Sequence, residues 1–154
     1  MMAGSYNRRG AALLAIVLLV GGLLAAGARA ADGGRLAASE ARAMAEAGKI
    51  TIVDIRRPGE WRQTGLPAGA ERATIAYGRG QGDFLARIRE VTKGRQDAPI
   101  ALICAGGVRS AYAAELLRQR GFTKVYDISE GMLGSRAGPG WLKQDLPVER
   151  CGQC

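Results

Sequence analysis

The sequence predicts an α/β fold in which an open parallel sheet is covered by helices on both faces. Two short runs, residues 50–55 and 99–104, are largely apolar and rich in β-branched or aliphatic side chains, as buried strands are. Segments with helical spacing of apolar residues separate such runs, and glycine or proline marks most boundaries. Strands that alternate with helices across short connections form parallel sheets with both faces buried.

Each element is justified by its local pattern. Ser39 is placed to cap a first helix that Gly48 ends, and Phe84 and Ile88 lie one turn apart in a second helix that ends before Gly94. The third helix is expected to turn Ala111, Ala114, Leu116 and Leu117 inward. We predict helices at 39–47, 83–92 and 108–120, strands at 50–55, 73–77, 99–104 and 124–128, one helical turn around Trp61, and an exposed loop at 133–140.

The first thirty residues have the order of segments that is typical of a secretory signal peptide. A short basic stretch with Arg8 and Arg9 precedes an apolar run at 11–27 and a small-residue triplet at 28–30. An uncleaved membrane anchor is the alternative, since the run is near the lower length limit of a membrane span. We predict a signal peptide or N-terminal membrane anchor at 1–30, one folded domain at 31–150, a CxxC tail at 151–154, and a periplasmic location.

The charge of the chain excludes some classes of partner. The formal net charge is +8, and cleavage after residue 30 would leave 19 basic against 14 acidic residues. A modest positive field attracts small anions, although a solvated arginine-rich surface explains the same composition. No basic run or aromatic ladder indicates nucleic acid. We therefore expect no nucleic-acid partner, and a membrane partner only if the N-terminal segment stays uncleaved.

The cysteines and the lack of histidine limit the chemistry. The chain has three cysteines, Cys104, Cys151 and Cys154, and no histidine. In an oxidising compartment one pair and one free thiol are expected. Without histidine there is no Cys–His pair and no histidine-ligated metal, and a lone CxxC lacks the second ligand pair of a structural zinc site. We predict no metal and no cofactor.

The segment that starts at Cys104 has the pattern of an anion-binding active loop. An apolar strand ends at this cysteine, and Gly106, Gly107 and Arg109 follow before a helix. Ligands bind at the carboxyl ends of strands in open α/β sheets, and a tight loop there can turn its N–H groups inward. Such a loop stabilises a thiolate. We predict Cys104 and Arg109 as catalytic, with Ala105, Gly106, Gly107, Val108 and Ser110 binding the substrate.

Five segments in order give the chain its resemblance to the rhodanese family over roughly residues 36–148. They are Cys104, Gly107, Arg109 and Ser110; Asp54, Arg56, Glu60 and Trp61; residues 65–70; Arg120, Gly121, Phe122, Val125 and Ile128; and Glu130, Gly131, Met132, Trp141, Leu146, Pro147 and Val148. The resemblance implies a rhodanese-like sheet and a sulfurtransferase that carries sulfur as a persulfide on Cys104. It also implies that Arg109 orients the donor anion or organises the loop, and that Ser110 bonds near the sulfur or caps the helix.

The length of the loop distinguishes this chain from related phosphatases of the dual-specificity type. Those enzymes have five residues between the cysteine and the arginine, whereas this chain has four between Cys104 and Arg109. A smaller loop suits a single sulfur better than a phosphoryl group, so we reject a phosphatase. The chain departs from the family at three places. Leu66 replaces a histidine, which is expected to change packing and not chemistry, and residues 133–140 lengthen the connection before Trp141, which bears on acceptor specificity. Ala105 stands where many thiosulfate-specific members have a basic residue, which bears on the preference for thiosulfate.

The expected partners are a small anionic sulfur donor such as thiosulfate and a thiol or cyanide acceptor, which could be a periplasmic protein. Two alternatives stay open: a persulfide carrier with little free turnover, and a thiol-disulfide redox protein that uses Cys151 and Cys154. Asp54 and Arg56 are expected to support the site, Asp54 mainly as a structural residue. We expect Arg56 to pair with Glu60, and Trp61 and Trp141 to be packing residues.

Overall fold

The structure is a computed structural model that describes Met1, residues 33–76 and residues 78–154. The predicted segment at 1–30 lies, apart from Met1, outside the described residues, as does Tyr77. The helices are α1 (Ala38–Glu46), α2 (Pro58–Thr64), α3 (Gln81–Val91) and α4 (Val108–Gln119). The strands are β1 (Arg35–Leu36), β2 (Thr51–Asp54), β3 (Leu66–Pro67), β4 (Glu71–Arg72), β5 (Ile100–Ile103), β6 (Val125–Ile128) and β7 (Val148–Glu149).

Five strands form one parallel sheet in the order β1-β6-β5-β2-β4. The central pair, β5 and β2, aligns Ile103 with Asp54, and β4 continues the row with Arg72. A separate antiparallel pair joins β3 to β7 and so ties the C-terminal end of the domain to the segment after α2. The carboxyl ends of β2, β4 and β5 therefore meet at one edge.

Two apolar clusters, one on each face, hold helices against the sheet. On one face α3 and α4 contribute Phe84, Ile88 and Leu117 to a cluster that includes Cys104. On the other face α1 packs Ala38 and Ala41 against residues of the central strands. The predicted α/β class with helices on both faces is confirmed. In the described ranges, no helix is both long and apolar enough to cross a bilayer.

Some local predictions are wrong. Residues 73–76 are not a strand, and pairing with β2 lies earlier, at β4. Ala37 occupies the N-cap of α1, so Ser39 lies inside the helix and caps nothing. Ala111 is exposed and Ala113 takes the buried position. The two-residue strands β1, β3 and β7 have no counterpart among the sequence-based predictions, because such short segments carry little periodicity.

Candidate active site

The sulfur of Cys104 lies immediately after β5, where the chain turns into α4. The residue is 1 % exposed. The backbone N–H of Gly107 donates to Sγ at 3.2 Å, and Ser110 Oγ lies 3.5 Å from the same sulfur. Ser110 Oγ also donates to the Gly107 carbonyl at 3.0 Å. The sequence-predicted Cys104, Gly107 and Ser110 thus meet around one sulfur atom.

Gly107 is the N-cap of α4 and has φ +85°, in the left-handed region that favours glycine. No side chain caps this helix end. The first N–H groups of a helix have no partner within the helix and carry partial positive charge. The loop therefore offers backbone donors beside the sulfur, where negative charge develops when the thiol ionises.

The segment that follows β6 clamps the loop from outside. Met132 N–H donates to the Cys104 carbonyl at 2.8 Å and Leu133 N–H donates to that of Ala105 at 2.9 Å. A Cβ on Gly131 would come within 2.5 Å of the Ala105 carbonyl oxygen, and one on Gly107 would overlap the Ser129 carbonyl. These close backbone contacts fix the curl of the loop.

The buried carboxylate of Glu130 holds the segment that follows β6 in place. Glu130 is 6 % exposed and accepts hydrogen bonds from Gly140 N–H at 3.1 Å and Gln144 Nε2 at 2.6 Å. These bonds tie Gly140, the last residue of the 133–140 loop, and Gln144 beyond it to Glu130, three residues before the loop starts. The loop is predicted from the sequence to be exposed. The sequence identifies Glu130 only as part of a motif and assigns it no structural task.

Arg109 makes a two-pronged ion pair with Glu60 of α2. Its Nη1 and Nη2 lie 2.8 and 2.6 Å from the two carboxylate oxygens. Arg56 does not pair with the Glu60 carboxylate, so that expectation is wrong. Glu60 Oε2 also accepts the backbone N–H of Arg57 at 3.0 Å. Arg109 thereby fastens the start of α4 to α2, which favours its predicted role in organising the loop.

The hydrogen bonds from Arg109, aided by one from the Arg57 backbone and by nearby positive charge, lower the pKa of Glu60 to about 2 against the opposing effect of burial. A lowered folded-state pKa stabilises the fold above the unfolded-state value of 4.5, and this contribution is lost as the pH falls towards 2. We expect Glu60→Gln to unfold at lower urea concentration than wild type at pH 7. The difference should shrink between pH 4.5 and about 2.

Urea titrations at several pH values measure this. The introduced glutamine retains a carbonyl oxygen for the Arg57 N–H, so the substitution removes the charge and keeps the helix start. A stability difference that is constant from pH 7 to pH 2 would contradict the assignment to the ion pair.

Asp54 and Arg56 form a second, fully buried ion pair at the end of β2. Arg56 Nε lies 3.0 Å from each carboxylate oxygen and Nη2 lies 2.7 Å from Oδ2. The guanidinium also donates to the Gly65 carbonyl and to Thr64 Oγ1, at 2.7 and 2.8 Å. These bonds join β2 to the end of α2. Both residues therefore support the site indirectly, because they hold α2, the helix that carries Glu60.

We expect Asp54→Ala to destabilise the protein by about 3–5 kcal/mol, because it leaves the Arg56 charge buried without its carboxylate. Urea unfolding at pH 7 measures this loss. Asp97→Ala is the matched control, since Asp97 pairs with Arg95 at the exposed surface. The free energy of unfolding of this variant should be indistinguishable from that of wild type. Equal stability of both variants would show that the buried pair is not structural.

The CxxC tail lies away from the Cys104 sulfur. Cys151 and Cys154 are paired, with Cα atoms 5.5 Å apart, and Arg72 Nη1 lies 3.2 Å from Cys154 Sγ. Arg72 is two strands from β5 in the same row as Ile103, so its Cα is about 10 Å from that of Ile103. Side chains alternate along a strand, so Cys104 faces the opposite side. The structure does not bring the tail and the nucleophile together.

Two clefts flank the loop. The larger, about 670 Å³, is lined by residues 106–108 and by Arg35 and Arg136, and we call it the basic cleft. The smaller, about 500 Å³, includes the Glu60–Arg109 pair. Both have room for a small anion, and the basic cleft combines positive charge with the outer surface of the loop. Among the described residues, no three histidine, cysteine or carboxylate side chains are placed to hold a metal ion.

Asp127 is a neighbour of the site that is not identified from the sequence. It lies in β6, is 4 % exposed and lines the basic cleft. Burial raises the pKa of its carboxyl group, against a hydrogen bond with Ser110 and the positive charges of Arg35 and Arg118, which lower it. The sequence offers one sign of its importance, which is that Asp127 is the single acidic residue in the otherwise apolar strand 125–128.

Comparisons with known proteins agree on one family for this chain. The model of the rhodanese-like domain matches residues 37–137, which is more than half of the chain. The protein RC0915 of Rickettsia conorii is 30% identical over 98 residues, which cover 62% of this chain and 80% of the relative. A crystal structure of Rv0390 from M. tuberculosis has a TM-score of 0.59 at 27% identity and covers 77% of this chain and 98% of the other.

A relative whose name states an activity matches a shorter stretch. Thiosulfate sulfurtransferase GlpE of Glaesserella parasuis serovar 5 is 34% identical over 53 residues, which cover 34% of this chain and 44% of the relative. The family match confirms the resemblance to the rhodanese family, and the solved structure confirms the predicted fold. The chain therefore belongs to the rhodanese-like domain family, which is of sulfurtransferase type.

Proposed function

We propose that this protein moves sulfane sulfur from thiosulfate or a similar small anionic donor to a thiol or cyanide acceptor through a Cys104 persulfide. The observation that carries the proposal is the Gly107 N–H, which donates to Cys104 Sγ at 3.2 Å from a left-handed glycine at the start of α4. This donor stabilises negative charge on the sulfur. The name of the GlpE relative supports thiosulfate as the donor class.

The reaction is a double displacement. The Cys104 thiolate attacks the outer sulfur of thiosulfate, the sulfur–sulfur bond of the donor breaks, and sulfite leaves with the bonding electron pair. The outer sulfur then carries the negative charge of the persulfide, and the amides of residues 105–109 are its proposed donors. An acceptor thiolate or cyanide attacks that sulfur next, and Cys104 leaves again as the thiolate.

The basic cleft is the proposed route for the donor. Arg35 and Arg136 place positive charge in the cleft beside Gly106 and Gly107 of the loop. An oxyanion is attracted to such a cleft, and guanidinium groups match its oxygens with paired N–H donors. Arg109 is engaged with Glu60, so we assign it to the organisation of the loop, with orientation of the donor as a second task.

Export to the periplasm is part of the proposal and rests on the segment order of residues 1–30. The acceptor there would be a small thiol or a protein thiol, and no nucleic acid is involved. Thiosulfate specificity is the finer part of the proposal. Ala105 lacks the positive charge that would strengthen binding of a dianion, so polysulfide and organic thiosulfonate belong in the same donor series.

Intact-mass spectrometry after incubation with each donor tests the proposal. We expect one added sulfur, about 32 Da, on the protein, and its removal by cyanide with formation of thiocyanate. Peptide mapping should place the sulfur on Cys104. Absence of an adduct with every member of the donor series would overturn the proposal, and an adduct without turnover would favour the carrier alternative.

A second candidate function is thiol-disulfide exchange at Cys151 and Cys154. The observation that favours it is the Arg72 guanidinium, 3.2 Å from Cys154 Sγ, because a cation beside a sulfur stabilises the thiolate that exchange requires. Reduction of a mixed disulfide substrate by the dithiol form tests it. Cys151→Ser/Cys154→Ser should lose that activity and keep sulfur loading on Cys104, whereas loss of both would join the tail to the sulfurtransferase reaction.

A further inference from the structure

The Cys151–Cys154 pair lies beside a cavity that the proposed sulfurtransferase reaction does not use. The cavity has a volume of about 510 Å³ and is lined by Arg62, Arg150 and Cys151, together with residues 63–65, 148 and 152. We call it the tail pocket. Its volume falls within the roughly 300–1,000 Å³ of pockets that hold small molecules. Cys151 borders this pocket and Cys154 does not, so the two cysteines differ in their access to a bound molecule.

The tail pocket is positively charged. Arg62 and Arg150 line it and are both exposed, and none of the described residues that line it is acidic. Glu149, which precedes Arg150, accepts the backbone N–H of Gly69 at 2.9 Å. Guanidinium groups bind carboxylates through paired N–H donors, and a positive field raises the local concentration of anions. A positively charged pocket that borders one sulfur of a disulfide therefore favours a thiol that carries carboxylate groups.

Arg72 makes the two sulfur atoms of the tail unequal. Its Nη1 lies 3.2 Å from Cys154 Sγ and 3.7 Å from Cys151 Sγ. The guanidinium carbon of Arg72 lies 5.8 Å from the centre of the Trp61 ring, a cation–π contact that helps to hold the cation beside the disulfide. In thiol–disulfide exchange, the sulfur that is better stabilised as a thiolate leaves faster. Cys154 is therefore the favoured leaving sulfur, and Cys151 is the sulfur that is attacked.

Resting on the second candidate function, we propose that the tail pocket binds a small thiol that carries carboxylate groups and directs it to Cys151 Sγ. Arg62 and Arg150 select this substrate by its charge. Arg72 acts later, because it stabilises the Cys154 thiolate that the attack releases. The pocket lining and the contacts of the sulfur atoms are separate observations, and both assign the attack to Cys151.

Atoms and electrons balance in one round of this exchange. The substrate thiol loses its proton to water, and the resulting thiolate attacks Cys151 Sγ. A bond forms between these two sulfur atoms, the Cys151–Cys154 bond breaks, and Cys154 leaves as a thiolate with the bonding electron pair. A second substrate thiolate then attacks the sulfur of the first, and Cys151 leaves as a thiolate. Two substrate thiols have become one disulfide, and their two electrons have reduced the tail to its dithiol form.

The first measurement identifies the sulfur that takes the substrate. Oxidised Cys104→Ser protein is mixed with reduced glutathione, a peptide thiol with two carboxylates, and quenched early with N-ethylmaleimide. Trypsin then cleaves after Arg150 and releases residues 151–154, in which fragmentation by mass spectrometry locates each modification. We expect glutathione on Cys151 and the maleimide on Cys154. Glutathione mainly on Cys154, or equally on both, would overturn the inference.

The second measurement tests the charge of the substrate. Rates of disulfide opening by glutathione and by cysteamine, a cationic thiol, are each divided by the rate for a free oxidised peptide of residues 151–154. These normalised rates should favour glutathione in the protein. Arg150→Gln should lower the preference by about fivefold, the effect of one exposed charge at contact distance in water. Arg150→Lys should restore most of the preference.

Two further variants separate the pocket from the leaving sulfur. Arg72→Gln should slow opening by both thiols alike, because it removes the cation beside the departing Cys154 thiolate. Arg89→Gln is the matched control, since it removes an exposed arginine of α3 that does not line the tail pocket, and it should keep the parent preference. Equal slowing of both thiols by Arg150→Gln, or slowing of neither, would overturn the assigned substrate class.

Sulfur loading by thiosulfate is measured in parallel by intact mass on the chain that retains Cys104. If no thiol opens the tail while Cys104 takes up sulfur, exchange at the tail and this inference are both rejected, and the sulfurtransferase proposal stands. If the tail opens with the expected selectivity while no donor loads Cys104, only the sulfurtransferase proposal is rejected.

Discussion

Replacing Cys104 with serine is expected to reduce thiocyanate formation from thiosulfate and cyanide to the uncatalysed background. The serine hydroxyl can still accept the Gly107 N–H, so the loop should keep its fold, but an alcohol is a far weaker nucleophile at neutral pH and forms no persulfide. The measurement is a colorimetric thiocyanate assay. Thermal unfolding of the variant should resemble wild type, which separates loss of chemistry from loss of structure.

The matched control is Cys151→Ser/Cys154→Ser, which leaves the nucleophile intact. Because the paired tail lies beside Arg72 and away from the Cys104 sulfur, this double variant should retain turnover. Substantial activity in Cys104→Ser would refute the assigned nucleophile. Loss of turnover in the tail variant alone would instead show that the tail resolves the persulfide after moving from its described position.

The nucleophile and its loop are the part of the site that the sequence predicts well. The strand predicted at 99–104 is Ile100–Ile103, and the helix predicted at 108–120 is Val108–Gln119. Both are long enough to show their pattern, the cysteine and the two glycines lie between them, and the arginine lies in the first turn of the helix. In a parallel sheet, such a junction can only lie at the carboxyl edge, so the location of the loop follows from local sequence.

Partners of charged side chains are not predictable in the same way. Arg56 pairs with Asp54 rather than Glu60, and the Asp54 carboxylate also accepts the backbone N–H of Arg56 where the chain bends after β2. Glu60 pairs with Arg109, 49 residues away, once α2 and α4 come together. Asp127 becomes a neighbour of Ser110 only through the pairing of β5 with β6. The last two of these contacts depend on tertiary packing, which periodicity does not encode.

The strand predicted at 73–77 shows the same limit. Ala73 and Ile75 are buried and Thr74 is not, which is the alternation of a strand. Their N–H groups donate to the carbonyls of Asp54 and Ile55. However, β2 itself ends at Asp54, and the chain bends at Arg56 before α2 begins at Pro58. The two hydrogen bonds beyond that point do not make a strand pair, so regular pairing is confined to β4.

Replacing Gly107 with alanine is expected to cause the second large loss, in both stability and sulfur loading. An L-residue in the left-handed region at φ +85° costs roughly 1–2 kcal/mol, and the new Cβ would also overlap the Ser129 carbonyl oxygen. The loop can relieve the overlap only by moving, which withdraws the Gly107 N–H from Cys104 Sγ. Removing one preorganised donor of this kind lowers rates by about a hundredfold. Urea unfolding and the thiocyanate assay measure the two losses.

Gly106 supplies the control in the adjacent position. Its φ is not in the left-handed region, and the nearest atom to an added Cβ is the Gly134 carbonyl oxygen at 3.7 Å, an ordinary van der Waals distance. Gly106→Ala should therefore stay close to wild type in stability and turnover. If Gly107→Ala were as active as Gly106→Ala, the reactivity of the Cys104 sulfur would not depend on the Gly107 N–H. That result would contradict the proposal that this loop stabilises the thiolate.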